Sequence, residues 1–442
     1  MKKVVIIGNG ISGITAARHI RKRSNYDITV ISAESEHFWS RTALMYIYMG
    51  HMKYEHTKPY EDSFWKKNNI SLIHDYVHTI DFDSKTLSLQ SNAPVHYDSL
   101  ILATGSKPNK FNWPGQDLEG VCTMVSLQDL ENIEKQSKDA RKAVVVGGGL
   151  IGVEMAEMLR SRNIDTTFLV REKHFWGGIL PQKEGSLIEN HIREHHVNLL
   201  LGTELKEIKS DNSGKVKSLI TLEGKEIECD FVGLAVGVHP NLDLVKNTAL
   251  KTNKGILVNE YLETNLPDVY AVGDCAERIE PLTDRPPVEQ VWYTGRMMGE
   301  AVAATICGSK TAYQPGPWFN SAKFFDVEYQ TYGQVKNLLK EGETDFYWQH
   351  DTKHLAMHFV FDQQSEKFLG VNTFGIRLRH EYFDRWLKSG KSIRFVLENL
   401  REANFDPEFY SSYEEEIISA FNQQHPQLAV SVTKRKKILG LF

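Results

Sequence analysis

The chain has 442 residues, more than one ordinary domain needs, so two or three domains are expected. Hydrophobic residues at 41% and charged residues at 25% are those of a globular protein, and a net charge of -5 argues against a nucleic-acid partner, which would need a basic surface. Cys122, Cys229, Cys275 and Cys307 form no CxxC, which excludes a disulfide framework and a cysteine-rich zinc module.

Residues 4–7 read as a buried strand, too short an apolar run for a secretory signal. Gly8-Asn9-Gly10-Ile11-Ser12-Gly13 follows, then a helical stretch through Ala16, Ala17 and Ile20, a second strand at 28–31, and Glu34. Gly8 suits a tight turn, Gly10 lets backbone approach a pyrophosphate, and Gly13 lets helix and strand pack closely. The helix N-terminus offers free N–H groups to phosphates, and a carboxylate after the second strand can bind ribose hydroxyls.

The pattern recurs about 140 residues later. Strand 144–146 leads into Gly147-Gly148-Gly149-Leu150-Ile151-Gly152, a helix with Glu154, Ala156 and Leu159, and a strand at 166–170 ending in Arg171-Glu172. One GxGxxG is weak evidence. Two, each between strand and helix, point to two dinucleotide sites.

Next comes an amphipathic helix with Leu187, Ile188, Ile192 and Val197 on its apolar face. His191 and His195 sit on it at the i, i+4 spacing of a metal pair, with His196 adjacent, and are read as part of the solvated face. His350, His354 and His358 alternate with apolar residues in a strand-like run and are expected to be exposed. No metal site is expected. No stretch approaches the roughly 20 apolar residues of a spanning helix, so a soluble, cytoplasmic protein is expected. Lys434-Arg435-Lys436-Lys437 before the apolar end 438–442 is read as a tail, with contact to a partner or an anionic membrane as the alternative.

Two further segments carry a resemblance. Leu100-Ile101-Leu102-Ala103-Thr104-Gly105 is similar to the ATG segment, and residues 264–276, with Gly273-Asp274, to the "T..P.vyA.GD" motif, of the FAD-dependent pyridine nucleotide-disulfide oxidoreductase superfamily. The four motifs stand in its order over residues 1 to about 310. The resemblance implies an α/β protein with two Rossmann-like domains of three-layer ββα type. FAD would be bound by a discontinuous domain, 1–116 and 250–318, and NAD(P)H by 117–249. An α+β dimerisation-type domain, 319–442, would make a homodimer. In that last domain 322–328 resembles a first strand, Tyr332-Gly333 a turn, 369–375 a later strand, and 404–409 the closing proline segment.

By the same resemblance, FAD contacts fall to Gly8, Gly10, Ile11, Ser12, Gly13, Glu34, Arg41, Val77, Ala103, Thr104, Gly105, Gly273 and Asp274. Nicotinamide-nucleotide contacts fall to Gly147, Gly149, Ile151, Gly152, Glu154, Arg171 and Gly237. Within the superfamily, Ile31-Ser32-Ala33-Glu34 and Ser40-Arg41-xx-Leu44 are similar to the ferredoxin/rubredoxin reductase and nitrite reductase branch. Thr42 stands where related NADH oxidases place a redox cysteine, and a hydroxyl forms no thiolate. Arg41 would neutralise FAD phosphates. Glu154 would position the nicotinamide, and Trp292, after Glu289, would lie near the isoalloxazine. The implied reaction is hydride transfer from NAD(P)H to flavin N5, then electron transfer to an acceptor: a small redox protein, a quinone-like molecule or oxygen. An NADH oxidase or peroxidase and a flavin-binding sensor with little turnover are the alternatives. Arg171, where NADH users commonly carry an acid, tilts the expectation towards NADPH or dual use.

Overall fold

The computed structural model describes residues 1–282, 285–405 and 411–431. The chain forms two compact units, Met1–Arg171 with Thr203–Pro315, and Glu172–Gly202 with the chain from Gly316 on.

The first unit holds two copies of one design. Lys3–Ile7, all but its first residue buried, pairs in parallel with Asp27–Ser32 on one side and Ser99–Leu102 on the other. Ile70–His74 and Val269–Ala271 complete a five-stranded parallel sheet at its two edges. Helix Ile11–Arg23 starts at Gly10 and ends in Arg21, Lys22 and Arg23, cations that complement the negative end of its dipole. The antiparallel meander Val77–Asp81, Thr86–Leu89, Val95–His96 supplies the third layer.

In the second copy, Lys142–Val146 lies between Asp165–Val170 and Phe231–Leu234, again in parallel, with Val121–Cys122 beyond. Helix Leu150–Ser161 follows its first strand, and Leu205–Ser210, Val216–Thr221 and Glu226–Glu228 form its meander. Each glycine loop thus leaves the C-terminal end of a strand flanked on both sides, where open parallel sheets leave a crevice for a ligand. The α/β class with two Rossmann-like folds is what the structure shows.

The second unit carries the antiparallel sheet Phe319–Phe324, Val327–Gly333, Phe368–Phe374, Ala356–Asp362, Glu343–Gln349, in that order, with helices His380–Lys388, Ile393–Glu398 and Glu414–Gln424. It is α+β. Residues 322–328 are not one strand: Phe325 and Asp326 turn the chain between two strands, and Tyr332-Gly333 ends the second. Phe325 takes φ +55 there, outside the usual turn vocabulary, and its ring stacks on His195 at 4.4 Å. Residues 406–409 and the basic-apolar tail lie outside the described residues.

Two histidine expectations are overturned in this unit. His191 and His358 are buried, at 3% and 4% exposure. His358 lies on Ala356–Asp362 and sits 2.6 Å from Glu184 Oε1 and 2.9 Å from Asp345 Oδ2, while Asn372 donates to Glu184 Oε2 at 2.8 Å. Alternation along a strand cannot reveal such partners, which arrive from helix Gln182–Glu194 and a neighbouring strand.

Candidate nucleotide sites

Three glycines of the first loop have three different surroundings. A Cβ on Gly8, at φ +113, would meet Ala103 O at 2.1 Å, and one on Gly13 would meet Gly8 O at 2.1 Å. The turn is therefore closed against its own backbone and against the ATG segment, with Gly8 N donating to Ile31 O at 2.8 Å and Ala103 N to Ile7 O at 2.8 Å. Gly10 faces open space, with nothing within 4 Å of its Cβ position. It caps the helix and, as a glycine, offers no side-chain cap hydrogen bond to the first-turn N–H groups. Open backbone at a helix N-terminus suits a phosphate.

The second loop repeats this geometry. A Cβ on Gly147, at φ +118, would meet Ala235 O at 2.2 Å, one on Gly152 would meet Gly147 O at 2.1 Å and the Phe168 ring, and Gly149 caps its helix facing open space. Ile151 and Glu154 lie half-buried on that helix, and Arg171 is exposed just past Asp165–Val170. Gly237, at φ +89, fits against Asn109, whose N–H donates to Gly237 O at 3.0 Å.

Around the first loop, Gly273 and Gly295 both pack on the Ser12 hydroxyl; a Cβ would meet it at 2.3 and 2.6 Å. A Cβ on Gly299 would meet Ser12 O at 2.5 Å, so helix Trp292–Ile306 lies directly against Ile11–Arg23. Ile11 is half-buried at the start of the latter helix. Thr104 donates to Asn241 O at 2.8 Å, and Gly105 takes φ +69. Val77 is buried in the core of this half.

Asp274, partly buried, accepts from the Ser106 hydroxyl at 2.9 Å, and Gln290 donates to that hydroxyl at 2.9 Å. Burial raises the Asp274 carboxyl above the ordinary carboxylate range, against the pull of Ser106 and Arg41. Ser106 and Gln290 carry no motif and were not legible in the sequence.

Glu34 and Arg41 meet each other. The guanidinium donates to Glu34 Oε1 at 2.8 Å and also engages Oε2, and Leu127 N donates to Oε1 at 2.9 Å. The assigned ribose carboxylate and phosphate cation thus form one bidentate pair beside the loop, and a bound nucleotide would meet them as a pair.

Trp292 is half-buried at the first turn of Trp292–Ile306. Its neighbouring acid is a structural group instead: Glu289 is 2% exposed, ion-paired to Arg285 at 2.5 Å, and accepts from Tyr313 Oη at 2.9 Å. Burial pushes the thiols of Cys122 and Cys229 up to about 12 and that of Cys275 upward as well. Cys275 points its sulfur at Leu102 O and Val272 O. Thr42 is exposed.

Residues 2–299 match the pyridine nucleotide-disulphide oxidoreductase family. The chain belongs to that family. The cradle at Gly8–Gly13 with Asp274 fits the FAD that members of the family carry. The chain is 32% identical over 279 residues to the nitrite reductase (NAD(P)H) of Bacillus subtilis, an alignment covering 62% of this chain and 34% of that one, so it spans only about a third of that relative. It is 30% identical to the NADH oxidase of Methanocaldococcus jannaschii, over 71% of this chain and 72% of the relative, and 27% identical to the rubredoxin-NAD(+) reductase of Pseudomonas putida, over 72% and 83%. Among solved structures, the NAD-dependent persulfide reductase from A. fulgidus superposes with a TM-score of 0.84 at 26% identity, covering 96% of this chain and 83% of the other. Among the described residues no helix is long and apolar enough to cross a membrane.

Proposed function

We propose that this family member is an NAD(P)H:acceptor oxidoreductase that works without a redox-active cysteine. The observation that carries the reading is the pair of matching cradles, each with two glycines closed on backbone and a third left open at a helix N-terminus. Bound FAD would supply the hydride acceptor for the nicotinamide and the electron donor for the second substrate. The chain's own residues bind and orient. Gly10 and Gly149 admit the two pyrophosphates, the Glu34–Arg41 pair and Asp274 border the flavin nucleotide, and Glu154 orients the nicotinamide. Trp292 lies beside the isoalloxazine in this reading, and 1–116 with 250–318, 117–249 and 319–442 are the working domains.

Thr42 in the position of the redox cysteine, and three thiols that burial keeps protonated, favour direct electron delivery over thiol chemistry. The relative named for rubredoxin favours a small redox protein as acceptor; a quinone-like molecule and oxygen are the other candidates, and the NADH oxidase relative speaks for oxygen. A homodimer in the cytoplasm completes the reading. Anaerobic mixing of the yellow protein with NADH or NADPH tests it: rapid bleaching of the flavin band is expected, and a flavin left oxidised would make the chain a nucleotide-binding sensor. A screen of acceptors by steady-state rate then separates redox protein from oxygen.

A further inference from the structure

His191 lies near the end of helix Gln182–Glu194, 3% exposed, and neither of its ring nitrogens has a hydrogen-bond partner of acceptable geometry. A buried imidazole needs a partner at its ring nitrogens, and a carboxylate lies close to one of them. Its Nε2 faces Asp326 Oδ1 at 2.5 Å, and His195 Nε2 lies 3.3 Å from the same oxygen. The three donor atoms all lie within 4.8 Å of one another.

Donors on a tetrahedral ion with bonds of about 2.0–2.1 Å stand roughly 3.3 Å apart. His195 and Asp326 already have that separation, and the His191–Asp326 distance has to open by less than an ångström. The supports are in place on each side. The His195 ring is held flat on Phe325, centroids 4.4 Å apart at 14°, in the turn that presents Asp326. Behind His191, Nδ1 faces Glu194 Oε2 at 3.9 Å, and that carboxylate is held by His354 Nε2 at 2.6 Å. That carboxylate lies beyond hydrogen-bond reach of Nδ1, and closing the gap by about an ångström would make it the outer partner usual for a metal-ligating histidine.

From this geometry we infer that His191, His195 and Asp326 form a binding site for a divalent transition-metal ion of the zinc class, tying the end of helix Gln182–Glu194 to the hairpin turn at 325–326. Two imidazoles and one carboxylate select a borderline ion over calcium or magnesium, whose sites are built from oxygen. Asp326 and His195 are solvent-accessible, so water can enter as the fourth ligand.

The test uses the tag-free, FAD-loaded, full-length protein, stripped with a chelator and titrated with Zn2+ against a chromophoric competitor. Co2+ loading gives an independent visible spectrum. One tight equivalent of Zn2+ and a low-symmetry Co2+ spectrum are expected. Asp326→Asn and His195→Gln, both at accessible positions, should each weaken Zn2+ binding by more than the roughly 10–100-fold that an outer-shell change costs, at unchanged FAD content. His354→Gln should cost no more than that outer-shell amount. Absence of a stoichiometric equivalent in the wild type overturns the assignment. So does Zn2+ retained by the Asp326→Asn/His195→Gln double variant, or a His354→Gln loss as large as that of Asp326→Asn.

Discussion

Arg171 stands exposed one residue past a strand of the second nucleotide fold, with Glu172 next to it. A guanidinium there can pair with a 2′-phosphate, and the neighbouring carboxylate opposes it, so the native preference between NADPH and NADH should be modest. Arg171→Glu should move kcat/KM selectivity towards NADH by about 1–3 kcal/mol, the size of a charge-assisted hydrogen bond, measured at fixed ionic strength because exposed charges are screened. An unchanged ratio would show that other side chains choose the nucleotide. The cysteines give a second residue-level expectation. Cys307 is half-buried and the other three are buried, so alkylation of the native protein should label Cys307 first and leave most NAD(P)H-dependent dye reduction intact. Activity lost in step with labelling of Cys275 would reinstate thiol chemistry. Residues of this kind were readable because each sits at a fixed offset from a glycine or an acid in a local motif. Ser106 under Asp274, the Glu34–Arg41 pair and the burial of His191 were not, because their partners come from distant segments that local spacing does not encode.

At the level of elements, the two loops make the same demand on their last glycines. Gly13 and Gly152 have a carbonyl oxygen 2.1 Å from where a Cβ would stand, and backbone cannot swing aside as a side chain can. Gly13→Ala should therefore weaken FAD retention, and Gly152→Ala should raise the Kd for NAD(P)H while leaving FAD content near normal. Overpacking of this kind costs about 1–3 kcal/mol, or roughly 5–150-fold in affinity. Absorbance of the purified proteins and a nucleotide titration read the two effects separately, and equal loss of both ligands in both variants would contradict the division of labour. The strands and helices of both folds were legible because apolar runs, glycine turns and periodic helices agree locally. The hairpin at Phe325-Asp326 was missed because it has no glycine, asparagine or proline to announce it. Its positive φ is borne by an aromatic ring that a helix more than 100 residues earlier stacks upon.

At the scale of the whole molecule, the unit formed by Glu172–Gly202 and the C-terminal residues is joined through buried charge. Glu184, 0% exposed, is matched by His358, which Asp345 engages from the other ring nitrogen. Those two carboxylates, working against burial, raise the His358 pKa to about 9. Its folded-state pKa exceeds the unfolded value of about 6.5, so its contribution to stability is complete below about pH 6.5 and is lost as the pH rises through about 9. His358→Ala should destabilise the unit by about 3–5 kcal/mol, because Glu184 is left as a buried charge with only the Asn372 amide to hold it, and should flatten the fall in Tm between neutral and alkaline pH. A variant as stable as the parent would mean that Glu184 is neutral in the native state.

The first five-stranded sheet also has a history written into its strand order. Ser99–Leu102, buried at every position in the finished fold, has the strand at Val269–Ala271 for its outer neighbour. On the ribosome that neighbour emerges roughly 170 residues later, which at about 5–20 residues per second is roughly ten to thirty seconds. For that interval the nascent chain carries an apolar, unpaired edge with the sequence Ser-Leu-Ile-Leu, and Ile11–Arg23 lacks the covering helix that supplies Gly295 and Gly299. The second nucleotide fold is synthesised entirely within that gap. In the proposed assignment the half that binds FAD is therefore the first begun and the later completed, so FAD is expected to bind only after the nicotinamide half has already folded.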